Sequence, residues 1–185
     1  MKLVTLEEAI KMIEDRPYPV RPIENIDYST AEYIGSNCYD GFKRIPEEMQ
    51  DYNLAKLAVI KNGWAITGIP QKLIDEGLGE LESIAIQKMP FIITRIKNAD
   101  YNLWLLAISL DGMQIRHYKP FQTEELCMKA VSQNGMAVKF VKNQTEEIVI
   151  AAIRQNINSI KHVKINSMKI AREAVKQYKI QKCKK

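Results

Sequence analysis

The sequence predicts an all-α fold, an α-solenoid of about seven helix-turn-helix repeats of 22–27 residues behind an N-terminal helical cap. Three observations predict it. The first is a unit that recurs in Gln122-Thr123-Glu124-Glu125-Leu126, Ala130-Val131, Asn134-Gly135 and again in Gln144-Thr145-Glu146-Glu147-Ile148, Ala152-Ile153, Asn156. The second is another matched pair, Asp51-Tyr52-Asn53-Leu54 with Leu57-Ala58-Val59 and Asp100-Tyr101-Asn102-Leu103 with Leu106-Ala107-Ile108. The third is the spacing of the anchors at the middle of each copy. Ile34 (a weak copy), Ala58, Ala85, Ala107, Ala130, Ala152 and Ala174 stand 24, 27, 22, 23, 22 and 22 residues apart.

At the N-terminus, Thr5-Leu6-Glu7-Glu8 is a capping-box pattern and predicts a helix over about residues 6–15. Arg16-Pro17-Tyr18-Pro19-Val20-Arg21-Pro22 cannot continue it and reads as a stiff extended connector. Residues 1–26 are therefore expected to be a cap and linker, and residues 27–185 the repeat array, together one domain.

Each column of the repeat has a physical task. Seven residues before the anchors stand Asp27, Asp51, Asp100, Thr123, Thr145 and Ser167, whose side chains accept from the free N–H groups of a starting helix. The Ala85 copy has Leu78 there, inside Gly77-Leu78-Gly79, and its longer spacing predicts a loop insertion. Leu54, Leu81, Leu103, Leu126, Ile148 and Ile170 stand four before the anchors and share a helical face with them. The alanine lets a neighbouring helix come close. Asn62-Gly63, Asp111-Gly112 and Asn134-Gly135 then stop the first helix, glycine being expected at a positive φ, while Met89-Pro90 breaks the chain through proline. Ile66/Ile69, Ile93/Ile96, Ile115/Tyr118, Val138/Val141 and Ile160/Val163 predict the inner face of a second helix of about seven residues. The last copy is expected to be a half repeat, with Lys182-Cys183-Lys184-Lys185 in place of its second helix.

The patterns Thr145-Glu-Glu-Ile-Val-Ile-Ala-Ala-Ile-Arg-Gln-Asn and Ala130-Val-Ser-Gln-Asn-Gly-Met-Ala-Val resemble the tandem short helical repeats of domain of unknown function family 4116. The resemblance covers about residues 50–180 and is strongest from 122 to 163. It implies stacked helical units seen in bacteria, phages and large DNA viruses, and it brings no catalytic residues with it. An inhibitor or adaptor acting on a host protein is an implication of that resemblance alone.

Composition narrows the function classes. Hydrophobic residues make up 46% of the chain, enough for a core, and no run nears the roughly 18 apolar residues of a membrane span. Charge appears too early at the N-terminus for a signal peptide. Cys38, Cys127 and Cys183 are odd in number and form no CxxC pair, so a reducing, cytoplasmic setting without disulfides or zinc is expected. There is no P-loop, GxGxxG, GxSxG or HExxH. His117 and His162 occupy one repeat column two copies apart, about 20 Å at the usual helix separation, and cannot share a metal. Cys127 reads as a small packing residue. No enzyme activity and no cofactor are expected.

The charge is uneven. Residues 1–50 carry 6 basic and 10 acidic side chains, residues 51–128 carry 8 and 9, and residues 129–185 carry 13 and 3. Nine and twelve after successive anchors stand Arg116/Lys119, Lys139/Lys142 and Lys161/Lys164, with Arg95 and Lys97 slightly displaced in the copy before. Pairs at i, i+3 share one side of a helix, so repetition extends them into a stripe. Lys169, Arg172, Lys176 and Lys179 continue the positive field. Such a stripe suits a solvated face, an acidic protein surface or a phosphate backbone. Trp64 stands in a packing column with Phe91, Met113 and Met136. Trp104 stands where other copies hold Ala55, Glu82, Cys127, Val149 and Ala171, and if exposed it would be a partner hot spot. The expected function is a non-enzymatic repeat protein that engages a partner protein through this stripe. The alternative is a nucleic-acid-binding module using the same ladder.

Overall fold

The computed structural model describes residues 3–15, 22–37 and 41–183. Residues 16–21 of the expected connector Arg16–Pro22, Cys38, and the terminal Lys184 and Lys185 lie outside them. Every regular element among the described residues is helical. The chain divides into two compact units, Met1–Asn98 and Ala99–Lys185.

The first unit begins with α1 (Leu6–Asp15) and α2 (Tyr28–Asn37). The capping box is formed: Thr5 N donates to Glu8 Oε2 at 2.9 Å, and Glu8 N donates to Thr5 Oγ1 at 3.3 Å. Two 3₁₀ helices, η1 (Gly41–Arg44) and η2 (Glu47–Met49), lead to α3 (Tyr52–Lys61). Then come η3 (Gly63–Gly68), α4 (Gln71–Glu76), α5 (Glu80–Lys88) and η4 (Pro90–Arg95). Helix α3 packs on α2 and on α5, and η3 packs on η1 and η4. The anchors Ile34, Ala58 and Ala85 are fully buried, so the weak first copy uses its column as the others do. The Tyr52 hydroxyl donates to Glu80, and Lys56 Nζ lies 2.8 Å from the same carboxylate, which ties α3 to α5. That hydrogen bond pushes the Tyr52 phenol up to about 12.

The extra residues of the Ala85 copy form α4, a helix and not the loop that the spacing suggested. Leu78 is not the N-cap of α5. It ends the preceding turn at φ 46° and is 94% exposed, while Gly79 takes the cap position at φ 90°. Glycine has no Cβ to penalise a left-handed backbone, which suits Gly79 to that position.

The second unit runs α6 (Tyr101–Leu110), η5 (Gly112–His117), α7 (Glu124–Gln133), η6 (Gly135–Phe140), α8 (Glu146–Gln155), η7 (Ile157–His162) and α9 (Met168–Cys183). Each α-helix packs on the next, and each 3₁₀ helix on the next. The predicted caps are made: Leu103 N to Asp100 Oδ1 at 2.8 Å, Leu126 N to Thr123 Oγ1 at 3.2 Å, Ile148 N to Thr145 Oγ1 at 3.4 Å, Ile170 N to Ser167 Oγ at 3.2 Å. Ala107, Ala130 and Ala152 are fully buried. In the last copy the first helix does not stop for a second. It continues through Cys183, 16 residues in all, and its Val175 is 55% exposed.

Two expectations about the second element of each copy need correction. It is a helix of six residues, not about seven, and it is wound as a 3₁₀ helix. A pair at i, i+3 eclipses on a 3₁₀ helix, so the same apolar spacing fits the tighter form. Ile160, assigned to an inner face, is 42% exposed.

The Asn-Gly turns also work differently from expectation. Gly63, Gly112 and Gly135 have no positive φ; Gly79 alone among the described glycines does. The preceding Asn or Asp is extended and caps the 3₁₀ helix: Asn134 Oδ1 accepts from Met136 N at 3.0 Å, and Asp111 Oδ1 from Met113 N at 3.0 Å. The glycine is required by proximity. A Cβ on Gly112 would lie 2.2 Å from the Ala130 carbonyl oxygen, and one on Gly135 2.4 Å from that of Ala152. Gly112 N donates instead to Gln133 Oε1 of the next helix at 2.7 Å, and Gly135 N to Gln155 Oε1 at 2.6 Å. The same glutamines donate backwards, Gln133 Nε2 to Leu110 O at 3.0 Å and Gln155 Nε2 to Gln133 O at 3.2 Å. Anchor alanine, turn glycine and helix-end glutamine therefore form one close contact between successive copies.

Candidate functional site

A second set of glutamines builds the edge that carries the predicted cations. Gln122 Oε1 accepts from Lys142 N at 2.9 Å, and its Nε2 donates to Phe140 O at 3.2 Å. One copy later, Gln144 Oε1 accepts from Lys164 N at 2.8 Å, and its Nε2 reaches Val138 O at 2.9 Å and His162 O at 3.1 Å. Gln144 is buried. These amides satisfy the ends of η6 and η7 and fix the backbone from which Lys142 and Lys164 project. The repeated Gln-Thr dipeptide thus has two parts: glutamine ties down the edge and threonine caps the helix.

Arg116, Lys119, Lys139, Lys142, Lys161 and Lys164 are all exposed. None of them forms an ion pair among the described residues, although Lys56, Lys61, Arg154 and Lys169 each have a carboxylate partner. The contacts they do make hold them along the edge. Lys142 Nζ donates to Lys119 O of the preceding copy at 3.2 Å. Arg116 Nε donates to His117 Nε2 at 2.9 Å, and Lys139 Nζ lies 4.8 Å from the centre of the Phe140 ring. A backbone carbonyl, an imidazole and an aromatic face leave the positive charges uncancelled. Lys169, by contrast, is 2.9 Å from Glu146 Oε2, so the field beyond Lys164 is partly neutralised.

Periodicity did not single out Phe121, which is 84% exposed. It stands between Lys119 and Lys142 and, with Pro120, Gln122 and Asn143, lines an open hollow of about 210 Å³. A strongly exposed apolar ring therefore stands beside cations that have no carboxylate partner among the described residues. The signal was present in the sequence: Phe121 precedes Gln122 as Asn143 precedes Gln144, an aromatic where the next copy has a polar residue.

Trp104 does not join this edge as a free hot spot. It is half-buried, packs against the core of its unit, and its ring meets Tyr118 edge-on with centroids 5.4 Å apart. Trp64 packs with Phe91 at 5.6 Å, as its column suggested. Cys127 is buried beside Leu126 in the core, and that burial, with Glu124 nearby, pushes its thiol up, away from reactivity. Among the described residues no group of three or more His, Cys, Asp or Glu could hold a metal ion, and no helix is long and apolar enough to cross a membrane.

One comparison with known proteins bears on this edge. Residues 123–169 match the family described as Domain of unknown function (DUF4116). The match opens on the N-cap of α7 and closes just inside α9, so it spans two complete copies, α7–η6 and α8–η7. Lys139, Lys142, Lys161 and Lys164 lie inside it; Arg116, Lys119 and Phe121 precede it. No curated protein and no solved structure matches the chain.

Proposed function

We propose that this chain is a non-enzymatic helical-repeat protein, an α-solenoid in architecture, that binds an acidic segment of a partner protein along the edge formed by η5, η6 and η7. The observation that carries this reading is the set of six exposed cations without carboxylate partners, spaced by the repeat and flanked by exposed Phe121. Such an edge offers long-range attraction from the cations and one apolar anchor. The close contacts between copies support the solenoid, because each glycine–alanine approach has the same chemistry and a repeat spacing of 22–23 residues. The deciding experiment is a tagged pull-down from the native host, repeated with Lys139→Glu, Lys142→Glu, Lys161→Glu and Lys164→Glu together. Loss of a captured protein in the reversed variant supports the reading. Undiminished capture removes the ladder from it.

Phe121 also favours a second reading, single-stranded nucleic acid. Aromatic side chains next to cations are how such strands are held, by stacking and phosphate contact. A gel shift in low salt against single- and double-stranded DNA and RNA tests this. No shift at micromolar protein eliminates it.

A further inference from the structure

Two junctions of the second unit are closed by a glutamine carboxamide, and the third is not. Gln133 and Gln155 stand three after the anchors Ala130 and Ala152, and Gln177 stands three after Ala174. Gln133 accepts from Gly112 N at 2.7 Å and donates to Leu110 O at 3.0 Å. Gln155 accepts from Gly135 N at 2.6 Å and donates to Gln133 O at 3.2 Å. The matching groups of the third junction are Ile157 N and Gln155 O, and no hydrogen bond joins either to another described residue. Two features hold Gln177 away from them. Ile157 occupies the glycine column, and its Cβ denies α9 the approach that Gly112 and Gly135 allow α7 and α8. Ala174 is accordingly only partly buried, where Ala107, Ala130 and Ala152 are fully so. Gln177 Nε2 donates instead to Glu173 Oε1 at 2.8 Å, and Glu173 is itself held by Arg154 Nε at 3.0 Å. An open hollow of about 210 Å³ lies here, lined by Gln155, Asn156, Ile157, Gln177 and Ile180.

A place that the chain itself fills twice with a primary carboxamide is defined by that chemistry. One N–H donor and one carbonyl acceptor match the C=O and NH2 of an amide. A carboxylate lacks the donor, and an apolar chain lacks both groups. We infer that this hollow receives a glutamine side chain presented by a second polypeptide. The incoming Oε1 accepts from Ile157 N, its Nε2 donates to Gln155 O, and its methylene stem lies on Ile157 and Ile180. A polypeptide is the source because both carboxamides already seated belong to a helix packed against the turn. A site that must satisfy a donor and an acceptor together discriminates against a side chain that offers only one of them. It reads an uncharged group, unlike the ladder, and shares no residue with it.

The test is heteronuclear NMR of the isotope-labelled full chain, titrated with N-acetyl-glutamine-N-methylamide and its glutamate and methionine counterparts. These probes have similar length and differ at the side-chain terminus. The glutamine probe is expected to shift the Ile157 N–H resonance at about 10 mM and to bind about tenfold tighter than the other two, the effect of the hydrogen bonds they lack. In Ile157→Gly, Gln177 is expected to seat itself as Gln133 and Gln155 do. The probe then no longer binds, and the N–H at position 157 becomes protected from hydrogen exchange. In Gln177→Ala the Ile157 wedge remains, and probe binding is expected to persist. Equal shifts with all three probes overturn the inference, as does a glutamine probe that leaves Ile157 unmoved. Undiminished binding in Ile157→Gly overturns it too. Charge reversal at Lys139 and Lys142 leaves probe binding unchanged whatever becomes of the proposed acidic partner.

Discussion

The two units solve the same stacking problem with different strictness. In the second, Gly112 and Gly135 leave no room for a Cβ, and Gln133 and Gln155 bridge each approach with hydrogen bonds in both directions. In the first, a Cβ on Gly63 would lie 3.1 Å from Ala85 O, a contact that a small shift can accommodate, and the copy after it carries Pro90 in the glycine column. The second unit is locked into near-identical copies and presents a regular edge. The first is looser and admits an inserted helix and a carboxylate in a packing column. Regularity serves a repeated surface, and departure from it opens a singular one.

The largest expected effect is at the locked glycines. Gly135→Ala and Gly112→Ala each force α-helices apart against backbone and are expected to destabilise the protein by about 3 kcal/mol. Gly63→Ala should cost only about 1 kcal/mol. Chemical denaturation of the three variants measures the ranking, and equal losses would break the contrast between the units.

Next comes the bridge itself. Gln155→Leu leaves Gly135 N–H and Gln133 C=O without their partner and is expected to cost about 2 kcal/mol, measured the same way.

The third effect is a pH dependence that arises in the second unit. Glu173 is buried and lies 3.0 Å from Arg154 Nε; hydrogen bonds from Arg154 and Gln177 hold its carboxyl down at about 2. A carboxylate depressed in the folded state adds stability above its unfolded value near 4.5, and that stability is lost as pH falls towards 2. Because Arg154 is largely exposed and screened, the contribution is about 1–2 kcal/mol. Stability curves from pH 6 to pH 2 should differ by that amount between the native chain and Glu173→Gln, with the difference vanishing at the acid end.

The smallest effect belongs to the first unit. Leu78 carries a left-handed backbone while almost fully exposed, so Leu78→Gly removes strain without removing packing. A gain of about 0.5–1 kcal/mol in thermal or chemical unfolding is expected.

Much of the fold is legible in the sequence because its determinants are local. Asp51, Asp100, Thr123, Thr145 and Ser167 cap helices by contacts within three residues, and the alanine anchors recur at a fixed period. What escaped is non-local. Nothing near Gly112 announces that the Ala130 carbonyl occupies the place of its side chain, so helix termination looked sufficient. An apolar pair at i, i+3 fits a short α-helix and a 3₁₀ helix alike. The spacing of 27 residues before Ala85 revealed added chain but not that it coils into α4. At the candidate site, the cations were found by period alone, and all six are exposed. Phe121 was not, because it stands outside any helix where periodicity is silent. Trp104 looked like a surface anomaly and proved to be packed against Tyr118, a partner 14 residues away.

The central claim is that the unpaired cations of η5–η7 and Phe121 form one recognition edge for an acidic protein segment. Its most direct test is fluorescence anisotropy with a Glu-rich peptide that carries one aromatic residue, and an oligothymidine of matched charge as competitor. Peptide binding is expected to weaken with salt, to be lost when Lys139, Lys142, Lys161 and Lys164 are changed to Glu, to fall about tenfold in Phe121→Ala, and to resist the competitor. Binding that survives the four reversals, or that the oligothymidine displaces completely, contradicts it.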